Sequence, residues 1–127
     1  MRGFPECYYS TIFDFPDGVP GGDFAIITAF NPMDRAAGDA ENAAADEALR
    51  GTLAEFGLPH RRAIGSSPDD SHAESGWAVE TTRERALSIA REFDQRALWW
   101  IVDGRLALVR CSDGHAETLG CLSERTR

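Results

Sequence analysis

Hydrophobic and polar positions along the chain follow two spacings, which predict an order of strands and helices. The segment Phe24–Phe30 carries no charge and one hydroxyl, a pattern typical of a central strand that is covered on both faces. An Asp-Gly pair at 103–104 separates two apolar runs and predicts a hairpin, and Asp113-Gly114 predicts a second turn that extends it to an antiparallel meander. The remaining predicted strands are Tyr8–Phe13, Arg62–Ile64, Gly76–Glu80, Ala97–Val102, Leu106–Val109 and Ala116–Leu119.

Apolar residues at three- and four-residue steps predict two amphipathic helices. The first spans Asp39–Phe56, with Asp39 as its N-cap and Gly57 as its stop. Thr81 and Glu84 form a capping-box pattern at the start of the second helix. The inner face of that helix is predicted to carry Ala86, Leu87, Ala90 and Phe93.

This order of elements predicts an α+β fold. We expect a two-layer α/β sandwich in which both helices cover one face of a mixed sheet, followed by a C-terminal antiparallel hairpin or meander. A ferredoxin-like arrangement is one topology compatible with that order. The length predicts a single domain over residues 1–127, with a loosely structured segment at 1–23 and a frayed end at 122–127.

Composition narrows the classes of function. Thirteen basic and 21 acidic residues give a net charge of −8, which argues against binding nucleic acid through a basic face. The sequence contains no lysine, so lysine nucleophiles and lysine-dependent phosphate loops are excluded. No segment approaches the roughly 18–20 apolar residues of a membrane helix, and the N-terminus lacks a signal-peptide pattern. Three cysteines without C-x-x-C spacing predict reduced thiols, and we expect a cytoplasmic protein.

Two asparagines are candidate ligand-binding residues. Asn31 follows the strongest strand, and ligands bind at strand ends in open α/β sheets. Pro32 is expected to bias Asn31 towards an extended backbone. The Asn31 side chain either contacts a ligand or holds its own turn, and Asn42 either presents its amide beside Asn31 or lies in solvent near the helix start.

Three further polar residues complete the candidate set. Gln95 precedes a very apolar strand, so its half-buried amide needs partners, supplied either by the backbone or by Asn31 and Glu74. Glu74 and Ser75 either supply a carboxylate and a hydroxyl to a cleft or cap the next element. Glu74 is also the candidate general base, although the sequence leaves open whether any reaction is catalysed.

Other groupings of reactive residues have simpler interpretations. Asp69, Asp70, His72 and Glu74 suit a divalent metal by type, but their crowding into one serine-rich loop is more typical of a solvated loop. We therefore predict neither a metal site nor a cofactor. Cys111 and His115 are close in sequence, but they lie on either side of a predicted turn.

Three pieces of the sequence together resemble a known family. They are Phe24–Pro32, the pair Glu74-Ser75, and Phe93–Leu98, with the helix that carries Asn42 between the first two. They resemble a family of small bacterial proteins known as domain of unknown function 3293, over roughly residues 8–111. The resemblance implies a cytoplasmic protein with a polar set matching Asn31, Asn42, Glu74, Ser75 and Gln95, and it implies no activity or cofactor. This sequence departs from the family pattern at 72–73, where an aromatic residue and a proline are expected.

Two functional hypotheses follow. The first is a small domain that binds a small polar ligand in a cleft where Phe24–Phe30 ends and the Gln95 segment begins. The alternative is a protein-interaction or regulatory module that uses an acidic helix and an exposed aromatic strand. Trp99 and Trp100 lie on opposite faces of that strand, so one is core and the other is exposed or covered by the N-terminal segment.

Overall fold

The strand Phe24–Thr28 lies at the centre of a seven-stranded sheet in the computed structural model, which describes residues 3–127. The strands are β1 Ile12–Asp14, β2 Phe24–Thr28, β3 His60–Ser66, β4 Ala73–Val79, β5 Ala97–Val102, β6 Arg105–Arg110 and β7 Ala116–Cys121. The helices are α1 Glu6–Tyr9, α2 Asp39–Glu55 and α3 Arg83–Glu92, and short 3-10 turns occupy Pro32–Asp34 and Leu122–Arg125. No helix within residues 3–127 is long and apolar enough to span a membrane.

Every pair of neighbouring strands is antiparallel, in the order β1-β3-β4-β2-β5-β6-β7. The prediction of a mixed sheet is therefore wrong. Helix α2 connects β2 to β3, which run in the same direction, but β4 lies between them, and β2 lies in the same way between β4 and β5. Because each crossover skips one position, no parallel neighbours form. The order of the seven strands does not confirm a ferredoxin-like arrangement, since β1, β6 and β7 extend the sheet on both sides.

The sheet is covered on both faces, so the expected two layers do not describe it. Helices α2 and α3 pack on one face, where Leu49 and Leu53 meet Ala25 and Ile27 of β2. The other face is covered by the N-terminal segment through Phe4 and Tyr9, and by Leu122. The predicted burial of β2 on both sides is confirmed, because its first four residues are at most 5% exposed.

Both termini make more contacts than their composition predicts. Tyr8–Phe13 is not one strand, since α1 is followed by the short strand β1. Instead of a frayed end, Thr126 forms a parallel bridge with Phe13, and the Arg127 N–H donates to the Phe13 carbonyl at 2.9 Å. The C-terminal residues thus meet β1, the strand at the opposite edge of the sheet, which gives the sheet its curled, half-barrel shape.

The sequence pattern predicts the positions of the turns and helices more accurately than the residues that cap the helices. Asp103 and Gly104 have φ of 50° and 74°, as the predicted two-residue hairpin requires. Helix α2 begins after Gly38 without a side-chain cap, so Asp39 is its first residue and not its N-cap. Helix α3 is capped by Thr82 and not by Thr81, because the Thr82 hydroxyl accepts the Arg85 N–H at 3.2 Å.

Candidate functional site

A cavity of about 350 Å³ lies between the sheet and the N-terminal segment. Its walls come from β2 to β5, from residues of 7–13, and from the loop at 66–72. Successive side chains of a strand point to opposite faces, so each strand contributes alternate residues to the wall. Ile26, Ala63 and Trp99 make its floor apolar.

Asn31 adopts a left-handed backbone beside this cavity, with φ 46° and ψ 66°. The expectation of an extended Asn31 is therefore wrong. Met33 and Asp34 also have positive φ, of 51° and 62°, a costly conformation for residues other than glycine. Two hydrogen bonds hold the segment: the Asn31 N–H donates to Asn42 Oδ1 at 3.0 Å, and the Met33 N–H donates to the Asp94 carbonyl at 2.7 Å.

The side chains of Asn31 and Asn42 form a network that ends on Glu74. Asn42 is only 7% exposed, and its Nδ2 donates to Asn31 Oδ1 at 3.1 Å. The same oxygen accepts the Ala37 N–H at 3.0 Å, and Asn31 Nδ2 donates to Glu74 Oε2 at 3.0 Å. Neither asparagine lines the cavity. Asn42 is therefore not solvent-exposed, and the two amides hold the loop and the Glu74 carboxylate.

Glu74 and Gln95 do line the cavity. Glu74 Oε2 also accepts from His72 Nε2 at 3.0 Å, whereas its Oε1 has no hydrogen-bond partner within residues 3–127. Gln95 is 7% exposed, and its Nε2 donates to the Phe30 and Phe93 carbonyls at 3.1 and 3.2 Å. The backbone thus satisfies the Gln95 donor, and the Gln95 carbonyl oxygen is left without a partner in the same described range.

Ser75 lies outside the cavity wall, so it cannot share a cleft with Glu74. Both residues belong to β4, where consecutive side chains point to opposite faces of the sheet. The Ser75 carbonyl accepts the Thr28 hydroxyl at 2.9 Å, which is a backbone contact. The sequence pattern predicts that this strand begins at Gly76, but it begins three residues earlier, at Ala73. Glu74 and Ser75 therefore lie within the strand, and their side chains point to opposite faces of the sheet.

Tyr8 and Asp34 also line the cavity, although no pattern in the sequence indicates that they belong to a site. The Tyr8 hydroxyl donates to Asp34 Oδ1 at 2.7 Å, and Arg96 forms an ion pair with Asp34 Oδ2. Burial, and then the hydrogen bond to Asp34, raise the pKa of Tyr8, so its hydroxyl stays protonated. No local pattern indicates this contact, because it joins two loops that are 26 residues apart.

The carboxylates of the loop at 66–72 bind other groups of the protein. Asp69 Oδ1 accepts from the Ser71 N–H at 3.0 Å and from the Ser67 and Ser71 hydroxyls at 2.8 Å, and these bonds lower the Asp69 pKa to about 2. Asp70 pairs with Arg127. His72 and Glu74 contact each other, with His72 Nε2 at 3.0 Å from Glu74 Oε2.

Trp99 and Trp100 are less exposed than the alternative hypothesis of an exposed aromatic strand expects. Trp99 is 8% exposed and lies on the cavity floor, with the Tyr8 ring centroid 6.1 Å away. Trp100 is half-buried and packs on the helical face. The prediction that the two alternate is confirmed, but neither ring is exposed. On this strand, Trp100 is therefore the tryptophan whose ring is partly exposed to a partner.

The surroundings of Cys111 do not favour a role as a nucleophile. It is 2% exposed, and burial raises the pKa of its thiol to about 11. Cys7, in contrast, is exposed and lines the cavity.

We expect Cys7 to react with a thiol reagent in the folded protein and Cys111 to react only after unfolding in urea, because a buried thiol forms little thiolate. Reaction with DTNB, followed by peptide mass mapping, measures both rates. A Cys7→Ser variant should lose the modified peptide that contains residue 7, whereas the partly buried Cys121 keeps its own reaction. Modified Cys111 recovered from the native protein would contradict the expectation.

Comparison with known proteins gives one match. The model of a family described as "Protein of unknown function (DUF3293)" matches residues 27–98, which is more than half of the chain. That range runs from β2 to β5, and it includes all five polar residues that the sequence singled out. No curated protein and no solved structure matches the chain.

Proposed function

We propose that this chain, which belongs to the DUF3293 family, binds a small polar ligand in the cavity beneath its N-terminal segment. Glu74 and Gln95 contact the ligand in this proposal, and Asn31 and Asn42 position Glu74 from behind. The observation that carries the proposal is a pair of unpaired acceptor oxygens, Glu74 Oε1 and Gln95 Oε1, on residues of the cavity wall.

The shape of the cavity supports this proposal. Ligand sites are concave and mostly apolar, with a few fixed polar groups, and they begin at volumes of roughly 300 Å³. This cavity has an apolar floor, and its polar residues Glu74 and Gln95 are held by hydrogen bonds to other groups of the protein. A ligand that donates to the Gln95 side-chain oxygen would replace the solvent that reaches this oxygen in the free protein.

Glu74 is also the residue that we propose as a general base if the ligand is turned over. Its Oε2 is oriented by Asn31 and His72, which leaves Oε1 available to a ligand. A fixed carboxylate within hydrogen-bond reach of a proton is the geometric requirement for that role. Binding needs only the same geometry, so the proposal commits to binding.

A cavity-filling variant provides the direct test. Ala63 is 1% exposed on the cavity floor, and Ala63→Leu adds volume there without changing any polar group. We expect it to abolish binding of small polar fragments, detected as shifts of the Trp99 indole and Gln95 side-chain amide signals in 1H–15N NMR spectra. Glu74→Gln should weaken binding about tenfold or more through loss of the charged acceptor.

Glu92→Gln is the matched control, because Glu92 is an exposed carboxylate on α3, which packs on the other face of the sheet. Its fragment affinities should equal those of the unchanged protein. Fragments that bind equally well to Ala63→Leu, after its native fold has been verified by circular dichroism, would show that the ligand occupies another place.

A further inference from the structure

We propose that the ligand is a small organic cation, such as a protonated amine or amidine, whose charged nitrogen meets Glu74 beside the Tyr8 and Trp99 rings. This inference rests on the proposed function, and it adds the chemical class of the ligand. Three independent properties of the cavity favour a cation. They are a carboxylate that is not paired with an arginine, side-chain oxygens that can accept further hydrogen bonds, and the aromatic rings that line the cavity.

The first property is a carboxylate without a permanent cationic partner. The Glu74 side chain is 28% exposed, and its contacts are the Asn31 amide and the ring of His72, which is 62% exposed. Asp34, the other carboxylate of the wall, is paired with Arg96. No arginine belongs to the cavity lining within residues 3–127. A half-buried anion that has given up part of its hydration is stabilised by an incoming cation, whereas an anionic ligand would be repelled.

The second property is that the available side-chain groups of Glu74 and Gln95 are acceptors. Gln95 is more than nine-tenths buried, and both of its amide contacts go from Nε2 to backbone carbonyls. Its oxygen and Glu74 Oε1 are the atoms left to the ligand, and neither can donate while the carboxyl is ionised. A ligand that pairs with both must therefore bring at least two N–H or O–H donors. An ammonium group carries three donors and an amidinium group carries four.

The third property is the aromatic wall. Tyr8 and Trp99 lie at 6.1 Å between ring centroids, and Phe13 meets Trp99 edge to face at 5.1 Å. The faces of such rings attract cations, and the attraction is stronger when the cation is desolvated. The Tyr8 hydroxyl proton is donated to Asp34, so this phenol offers the ligand its ring and its oxygen. Rings, carboxylate and amide oxygen all favour the same charge.

Three probes of nearly equal size and different charge test this inference: phenethylamine, phenethyl alcohol and phenylacetate. We expect the amine to bind about tenfold more tightly than the alcohol and the acid not to bind, as measured by Trp99 indole shifts and by calorimetry. Glu74→Gln should weaken binding of both the amine and the alcohol, but it should weaken the amine more, so that the advantage of the amine is lost. Glu92→Gln should change neither affinity.

The outcomes separate the two proposals. If the alcohol or the acid binds as tightly as the amine, the inference that the ligand is a cation is wrong, but the proposal that the cavity binds a ligand stands. If none of the three probes shifts the Trp99 or Gln95 signals, both proposals fail. Should Glu74→Gln not fold, the comparison of amine with alcohol in the unchanged protein still decides the question.

Discussion

Asn42→Ala is expected to lower the free energy of unfolding by about 2 kcal/mol. The substitution removes the oxygen that accepts the Asn31 N–H and the amide that donates to Asn31 Oδ1. Leaving buried polar groups unpaired costs about 1–3 kcal/mol each, and the higher helix propensity of alanine returns only about 0.5 kcal/mol. Urea denaturation followed by circular dichroism gives the value.

The same variant should also weaken ligand binding, because the Asn31 amide that orients Glu74 loses its support. Asn42→Asp separates the two bonds: it keeps an acceptor for the Asn31 N–H but places a carboxylate oxygen against Asn31 Oδ1. We expect it to be destabilised as well. Glu41→Ala, an exposed neighbour in the same helical turn, should stay within about 0.5 kcal/mol of the unchanged protein. An Asn42→Ala variant as stable as Glu41→Ala would mean that the network contributes nothing net.

The sequence predicted the elements whose signals are local. The burial of β2, the turn at Asp103-Gly104 and the extent of α2 follow from apolar spacing and glycine, and each of these involves residues close together in the chain. Rules that use only neighbouring residues failed where a hydrogen bond to a distant residue stabilises the observed conformation. The proline rule predicted an extended Asn31, but the Asn42 side chain, 11 residues away, accepts its N–H and stabilises the left-handed form.

The cavity itself could not be predicted from the sequence, because its cover depends on contacts between distant segments. Tyr9 donates to Glu117 Oε1 at 2.7 Å across 108 residues, and Tyr8 reaches Asp34. The composition of the first 23 residues predicts one strand, Tyr8–Phe13, in an otherwise loose segment, since glycine and proline are frequent there. Glu74 and Gln95 both line the cavity, because they flank strands that the pattern predicts, whereas Asn31, Asn42 and Ser75 of the candidate set do not line it.

Gly76→Ala is expected to cost about 3 kcal/mol in the free energy of unfolding. A β-carbon at Gly76 would lie 2.5 Å from the carbonyl oxygen of Ile27 and 3.2 Å from the α-carbon of Thr28. Both atoms belong to the backbone of β2, which pairs with β4 at this position. No side chain can yield there, so the two strands must separate, and the cavity wall carrying Thr28 and Glu74 moves with them.

Gly51→Ala is the matched control, with the opposite expected sign. Gly51 lies inside α2, and a β-carbon there meets no atom within 4 Å. Because glycine is about 1 kcal/mol less favourable than alanine in a helix interior, this variant should be stabilised by up to that amount. Urea denaturation of both variants measures the contrast. Glycine within a strand is otherwise a weakness, and the close approach of β2 to β4 explains why this strand contains one. If Gly76→Ala were as stable as the unchanged protein, β2 and β4 would have to lie further apart, and the cavity wall would need to be redrawn.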